Sequence, residues 1–327
     1  MRKILNVAVA AMAVSLGAGG ASALDKVTFG TNWKAQAEHG GFYYAVAYGV
    51  YEKYGLEVSI RPGGPQVNHP QLLAAGRIDF NMGGNLNSTF NFIENNVPMT
   101  TVAAIFQKDP QVFLCHPNAG RDKFTDTKNG PVLIGKGGQQ TYWQWLKVAY
   151  GFKDEQIKPY TFNPGPFLAD KTSCQQGYVT SEPFAVQRQG VTPVVHLLAD
   201  QGYDTYATTI ETSWKLAREK SELVQRFVDA SVIGWYGYLY KEKSKADDLI
   251  KKDNPDMDDP QIAFSLEAMK KYGIVDSGDS KTLGIGAMTD ARIKSFYDKM
   301  VSAGLYKSGL AIKDSYTLQF VNKKVGM

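Results

Sequence analysis

A β-α-β unit spanning residues 27–60 sets the fold class of this chain. Residues 27–29 read as the end of a buried strand, and residues 42–54 repeat apolar side chains at helical spacing. Gly55 stops that helix, and residues 56–60 form the next strand. Two strands joined through one helix are parallel with a right-handed crossover. The stretch TFGTNWKAQAEHGGFYYA, residues 28–45, therefore puts Asn32, Trp33, Glu38 and His39 at a strand-to-helix junction. In α/β sheets, junctions at the carboxyl ends of strands form the ligand crevice. Gly40 and Gly41 are expected to let the backbone approach a ligand, and free N–H groups at the helix start favour acceptor atoms.

The same unit recurs along the chain. A helix near residues 70–75 ends at Gly76, and a strand at 78–82 runs into Gly83-Gly84-Asn85. Residues 87–95 read as a helix and 99–106 as a strand leading outward. After Lys108-Asp109-Pro110 a second set begins, with strands at 112–115, 132–134, 157–162, 174–179 and 194–198. Residues 135–141, GKGGQQT, link the strand at 132–134 to a helix at 142–150. From about residue 213 the texture changes to long helices, at 221–240, 244–250, 260–272 and 289–303. Two α/β lobes joined by crossings near 104–110 and 198–206 follow, with the cleft between them as the natural site.

Residues 1–23 give a basic start, an apolar stretch and Ala21-Ser22-Ala23, the pattern of a secretory signal peptide cleaved after Ala23. Its removal leaves 34 basic and 32 acidic side chains, a net charge of +2, which argues against nucleic acid as a partner. No later run approaches the roughly 18 apolar residues of a membrane span, so a soluble mature protein is expected. Cys115 and Cys174 are the only cysteines; their separation in sequence fixes no Cα distance, so buried free thiols are the expectation and a bridge the alternative. His69, His116 and His196 lack metal-ligand spacing and read as structural. No metal, cofactor or catalytic residue is expected, because HExxH, CxxC, GxSxG and GxxxxGK[ST] are all missing.

The run TNWKAQAEHGGFYYAVAYGVYEKYGLEVSI with LLAAGRIDFNMGG resembles the first lobe of substrate-binding proteins of ABC importers. FLCHP at 113–117, the Gly-loop and helix at 135–150, and GYVTSEPFAV at 177–186 extend the likeness over most of the chain. The similar branch groups receptors for thiamine pyrimidine precursors, alkylsulfonates, taurine and nitrate. The resemblance implies an α/β, two-lobed periplasmic-binding-protein fold of type II, residues 24–106 and 205–327 forming one lobe and 107–204 the other. It also implies a monomeric periplasmic receptor that closes on a small molecule and delivers it to an inner-membrane ABC permease. Spacing at Trp33 to His39 and at Tyr178, Glu182 and Pro183 is nearer to the pyrimidine-precursor receptors.

Trp33 in a polar loop suits stacking on a flat ring, the alternative being packing. His39 either donates to a ligand or caps the following helix, and Asn32 has a cap or Asx-turn as its alternative. Glu182 opens a helix at a strand's end, where helix amides stabilise a carboxylate; the resemblance implies that it accepts from an exocyclic amine. Gly138, Gln139, Gln140 and Thr141 could offer amides to an anion or carbonyl, or form a tight turn. Gly84, Asn85, Asn87 and Tyr178 can reach the same cleft. Two alternatives remain: a receptor for a sulfonate, taurine or another small anion held by residues 137–141, and an enzyme like the pyrimidine synthases of this fold. Those synthases carry a cysteine-dense stretch, where this chain has KTSCQQG at 171–177 with one cysteine.

Overall fold

The computed structural model describes residues 23–64, 67–160 and 163–327. Almost all of the expected signal peptide lies outside them. No helix among the described residues is long and apolar enough to cross a membrane.

Ten strands form two five-stranded sheets. The first contains β1 (Asp25–Gly30), β2 (Leu56–Arg61), β3 (Phe80–Asn85), β4 (Met99–Phe106) and β10 (Ala207–Ser213) in the order β2-β1-β3-β10-β4. The second contains β5 (Gln111–Cys115), β6 (Val132–Ile134), β7 (Ile157–Pro159), β8 (Cys174–Tyr178) and β9 (Val194–Leu197) in the order β7-β6-β8-β5-β9. Both sheets have one plan: three parallel strands, then an antiparallel strand, then a fifth. The antiparallel strand is in each case the one that arrives directly from the other sheet, β5 after the first crossing and β10 after the second. Each sheet with its helices makes one lobe of an α/β, two-lobed fold.

Several expectations shift. The helix expected over residues 42–54 is two pieces, Gly40–Ala47 and Val50–Lys53. Gly49 between them adopts φ +63°, a left-handed turn that ends the first piece. β3 starts two residues late and takes in Gly83 and Gly84, because β10 supplies a ladder for them, with Gly83 opposite Thr209. β10 itself was not foreseen. Its run ATTIETS is mostly polar, yet all but the last residue are buried, with Thr212 donating to the Asp79 carbonyl and Glu211 accepting from Asn81 and Ser88. Cys115 and Cys174 are not free thiols. They face each other across the antiparallel β5–β8 ladder and are joined in a disulfide, with Cα atoms 4.3 Å apart.

An aromatic cluster holds the first lobe to the long helix Ser221–Tyr240. Phe80 stacks on Phe227 with ring centres 4.0 Å apart, and Trp235 meets Phe42 and Phe106 edge-on at 5.8 and 5.6 Å. Such pairs add about 0.5–1.5 kcal/mol each beyond area burial. Gly40 and Gly41 serve this packing. A Cβ on Gly41 would lie 2.2 Å from the Trp235 ring and one on Gly40 2.1 Å from the Tyr238 ring, so both glycines admit the helix rather than a ligand.

The two crossings are braced from outside the sheets. Lys108 of the first pairs with Asp200 of the second at 2.8 Å. Arg292, on the helix Asp290–Ser302, donates to the carbonyls of Gln107 and, at 3.1 Å, Asp204, and its guanidinium lies 4.1 Å over the Tyr206 ring.

Candidate functional site

A cavity of about 450 Å³ lies between the lobes, walled by both sheets and by the first crossing. Of the residues singled out in the sequence, Asn32, Trp33, His39, Gly84, Asn85, Asn87, Gly138, Thr141, Tyr178 and Glu182 line it. Gln139 and Gln140 do not. Gln139 turns back to donate to the Ile134 carbonyl at 3.0 Å, and Gln140 is exposed.

One wall is the loop after β1. Trp33 is pinned through its carbonyl, which accepts from Thr31 Oγ1 at 3.0 Å and from the Gly63 amide at 2.9 Å. That fixes the backbone and leaves the half-buried indole on the cavity. His39 does not cap the helix with its side chain; its Nε2 lies 3.2 Å from Asn32 Oδ1. Read as a donor bond, this puts the proton on Nε2 and leaves Nδ1 a buried acceptor without a partner. Burial, with no carboxylate to compensate, lowers the imidazole to about 3 and keeps it neutral. Glu38, 3% exposed, accepts from Thr180 Oγ1 of the other lobe. The Thr180 carbonyl in turn accepts from Ser265 at 2.6 Å, and Arg188 pairs with Asp258 at 2.5 Å nearby, so the lobes are latched on this side.

The facing wall comes from β8 and the turn after it. Glu182 Oε2 accepts from the Tyr178 amide at 2.7 Å and Oε1 from Tyr160 Oη at 3.4 Å. Tyr142 Oη donates to Gln176 Oε1 at 3.0 Å, which also accepts from the Gly135 amide at 2.7 Å. In the Gly-loop, residues 136–139 close a single helical turn, and the amides of Gln139, Gln140 and Thr141 are spent on the carbonyls of Gly135, Lys136 and Gly138. That leaves the anion cradle expected from the loop to the first-turn amides of residues 136–138, with Gly137 and Gly138 on the cavity.

At the base, Asn85 Oδ1 caps the helix Leu86–Glu94 through the Asn87 amide at 3.0 Å, and Asn85 Nδ2 donates to Asp109 at 2.8 Å. Asn87 is committed to its neighbours: Nδ2 donates to Asn85 Oδ1 and, at 2.9 Å, to Tyr203 Oη, while its carbonyl groups accept from Tyr306. Behind this layer Glu211 accepts from Asn81 at 2.7 Å and Ser88 at 2.6 Å, bracing β3 and the helix start. Asn85 and Asn87 thus shape the cavity.

The cavity is lined by three carboxylates, the buried Glu38 and Asp109 and the half-buried Glu182, and by no lysine or arginine among the described residues. Burial raises all three, Glu38 to about 7. This fixes the sign of a pH effect. Between about pH 4.5 and 7 the folded chain keeps the Glu38 proton that the unfolded chain has released, so the contribution of Glu38 is complete below 4.5 and is lost as pH rises through 7. The loss is on the order of 3 kcal/mol. Glu38→Gln, which keeps an acceptor for Thr180, is expected to be more stable than the native chain by about that amount at pH 8, the gap closing towards pH 5. Urea unfolding at the two pH values reads this, and a gap independent of pH would contradict it.

Glu38, Asp109, Gln111, Tyr142, Gln176 and Thr208 line the cavity but were not selected from the sequence as ligand residues. Asp109 in LysAspPro reads as a chain break, and Tyr142 as the first residue of a helix. Thr208 belongs to the unforeseen β10 and adopts φ +48°. The one signal available was Glu38, an acid inside the loop already chosen.

The model of the NMT1/THI5-like family matches residues 36–246, a span that takes in the lining of this cavity except Asn32 and Trp33. The chain belongs to the NMT1/THI5-like family. RibY, a riboflavin-binding protein from Chloroflexus aurantiacus, is 23% identical over 235 residues, 70% of this chain and 66% of RibY, just under two thirds of its length. The periplasmic aliphatic sulphonate binding protein SsuA from Escherichia coli shares the fold with a TM-score of 0.66 at 16% identity, over 89% of this chain and 91% of that one. The desulfurization enzyme DSZB shares it with a TM-score of 0.57 at 14% identity, over 90% and 97%. The shared fold therefore serves a binding protein and an enzyme alike, and the cavity's own chemistry must decide between them.

Proposed function

We propose that this protein is an extracytoplasmic solute receptor of an ABC importer. It encloses a small heteroaromatic ligand, a thiamine pyrimidine precursor or a compound of that kind, and presents it to a permease. Residues 24–106 with 205–327 and residues 107–204 are the two closing lobes, hinged at the crossings. The observation that carries this reading is an interlobe cavity lined with Trp33, Tyr142 and Tyr178 beside Glu38, Asp109 and Glu182, with no lysine or arginine. Aromatic faces suit a flat ring, and buried carboxylates suit amino groups. A lining that holds carboxylates and no lysine or arginine disfavours a sulfonate, taurine or nitrate. A disulfide fits an oxidising compartment. Cys174, the cysteine of KTSCQQG, is bonded to Cys115 and so is withheld from thiol chemistry, which weighs against a synthase-like activity.

Calorimetry against 4-aminopyrimidines, taurine, nitrate and riboflavin tests the reading. An aminopyrimidine is expected to bind, and Glu182→Gln to weaken it about 10–100-fold, the range for a hydrogen bond to a charged group. Trp33→Ala is expected to cost up to about tenfold. Binding of taurine or nitrate alone, or binding indifferent to both substitutions, would refute it.

A further inference from the structure

We infer that Asp109 is a second ligand-recognising carboxylate, taking a positively charged nitrogen, so that the cleft selects ammonium-bearing heterocycles over their neutral counterparts. The inference rests on the cavity being a heteroaromatic-ligand site and adds the charge class of the ligand.

Asp109 lies in the first crossing, 3% exposed, and lines the cavity. Oδ2 accepts from Asn85 Nδ2 at 2.8 Å and Oδ1 from the Gln111 amide at 3.0 Å. Both donors are neutral, and a carboxylate has about four lone-pair sites, so half of its acceptor capacity is unused. The cations nearest in the chain are committed elsewhere: Lys108 to Asp200, and Arg292 to Asp279 and the crossing carbonyls. A buried carboxylate with only neutral partners is costly until a cation arrives.

A second observation from the other wall points the same way. Glu38, on the wall opposite Glu182, lines the cavity as well, and no lysine or arginine is among its described lining residues. Carboxylates thus converge from both walls on a space without a lysine or arginine. A ligand with a ring amine for Glu182 and an ammonium arm for Asp109 supplies what is missing.

The test compares two 4-aminopyrimidines that differ only at the 5-position, one with an aminomethyl arm and one with a hydroxymethyl arm, by calorimetry at pH 7. The native chain is expected to prefer the ammonium form by at least about tenfold. In Asp109→Asn that ratio is expected to fall below about threefold. A ratio is insensitive to partial unfolding, which weakens both ligands equally, and circular dichroism checks the fold. Equal affinities in the native chain, or a preference that survives Asp109→Asn, overturns the inference while leaving the heteroaromatic reading intact. If neither pyrimidine binds, the heteroaromatic reading fails, and benzylammonium against benzyl alcohol in a thermal shift then decides the charge class. Stabilisation by the ammonium alone, lost in Asp109→Asn, upholds it; any other pattern overturns it.

Discussion

Replacing Cys115 and Cys174 together by alanine is expected to lower the stability of the folded chain by about 4 kcal/mol. The bridge closes a loop with a sequence separation of 59, and the entropy it removes from the unfolded chain by keeping that loop closed sets the magnitude. The loop contains β6, β7 and the helix Tyr142–Tyr150, most of the second lobe. The bridge fastens β8 to the strand that enters from the first crossing, and β8 carries Gln176 and Tyr178 to the cavity. A weaker ligand affinity is expected with the loss of stability, since that wall is then held only by its ladder. Urea unfolding of the oxidised chain, the chain treated with dithiothreitol and the double variant checks this. The reduced chain and the variant should agree, and a loss under about 1 kcal/mol would refute the argument.

Gly234→Ala is expected to destabilise by about 3 kcal/mol, against the usual trend for a glycine within a helix. In an exposed helix the same change is worth up to about 1 kcal/mol in the other direction. Here Gly234 is the point where the helices Ser221–Tyr240 and Gly40–Ala47 touch: an added Cβ would sit 2.2 Å from the Gly41 carbonyl oxygen and 2.8 Å from the Ala45 Cβ. The first is backbone and cannot rotate away, so the helices must part. Because Glu38 and His39 lead directly into Gly40, the displacement reaches the cavity. Thermal and urea unfolding measure the stability, and calorimetry with an aminopyrimidine the site. An unchanged or raised midpoint would show that the contact yields without cost.

Glycine and cysteine are where local reading and tertiary structure part company. Gly40-Gly41 beside a ligand loop has the local look of a phosphate-type approach, yet its partners are Trp235 and Tyr238, almost 200 residues away. The thiols of Cys115 and Cys174 have no visible relation until β5 is inserted beside β8. Asp109 likewise looks like loop polarity until the crossing turns it into the wall of a cavity.

By itself the sequence determined the local elements: the parallel β-α-β unit, nine of the strands in place or nearly so, the long carboxyl-terminal helices, and the loop bearing Trp33 and His39. These follow from periodicity and from glycine and proline punctuation, which act over a few residues. Only the tertiary structure decided what those elements face. β10, polar by composition, becomes a central strand because the second crossing delivers it between β3 and β4, where its threonines and Glu211 find partners. The acidic character of the cleft is decided at the same level. Glu38, Asp109 and Glu182 lie on three separate segments, and only burial in one water-poor space turns three ordinary carboxylates into a demand for donors.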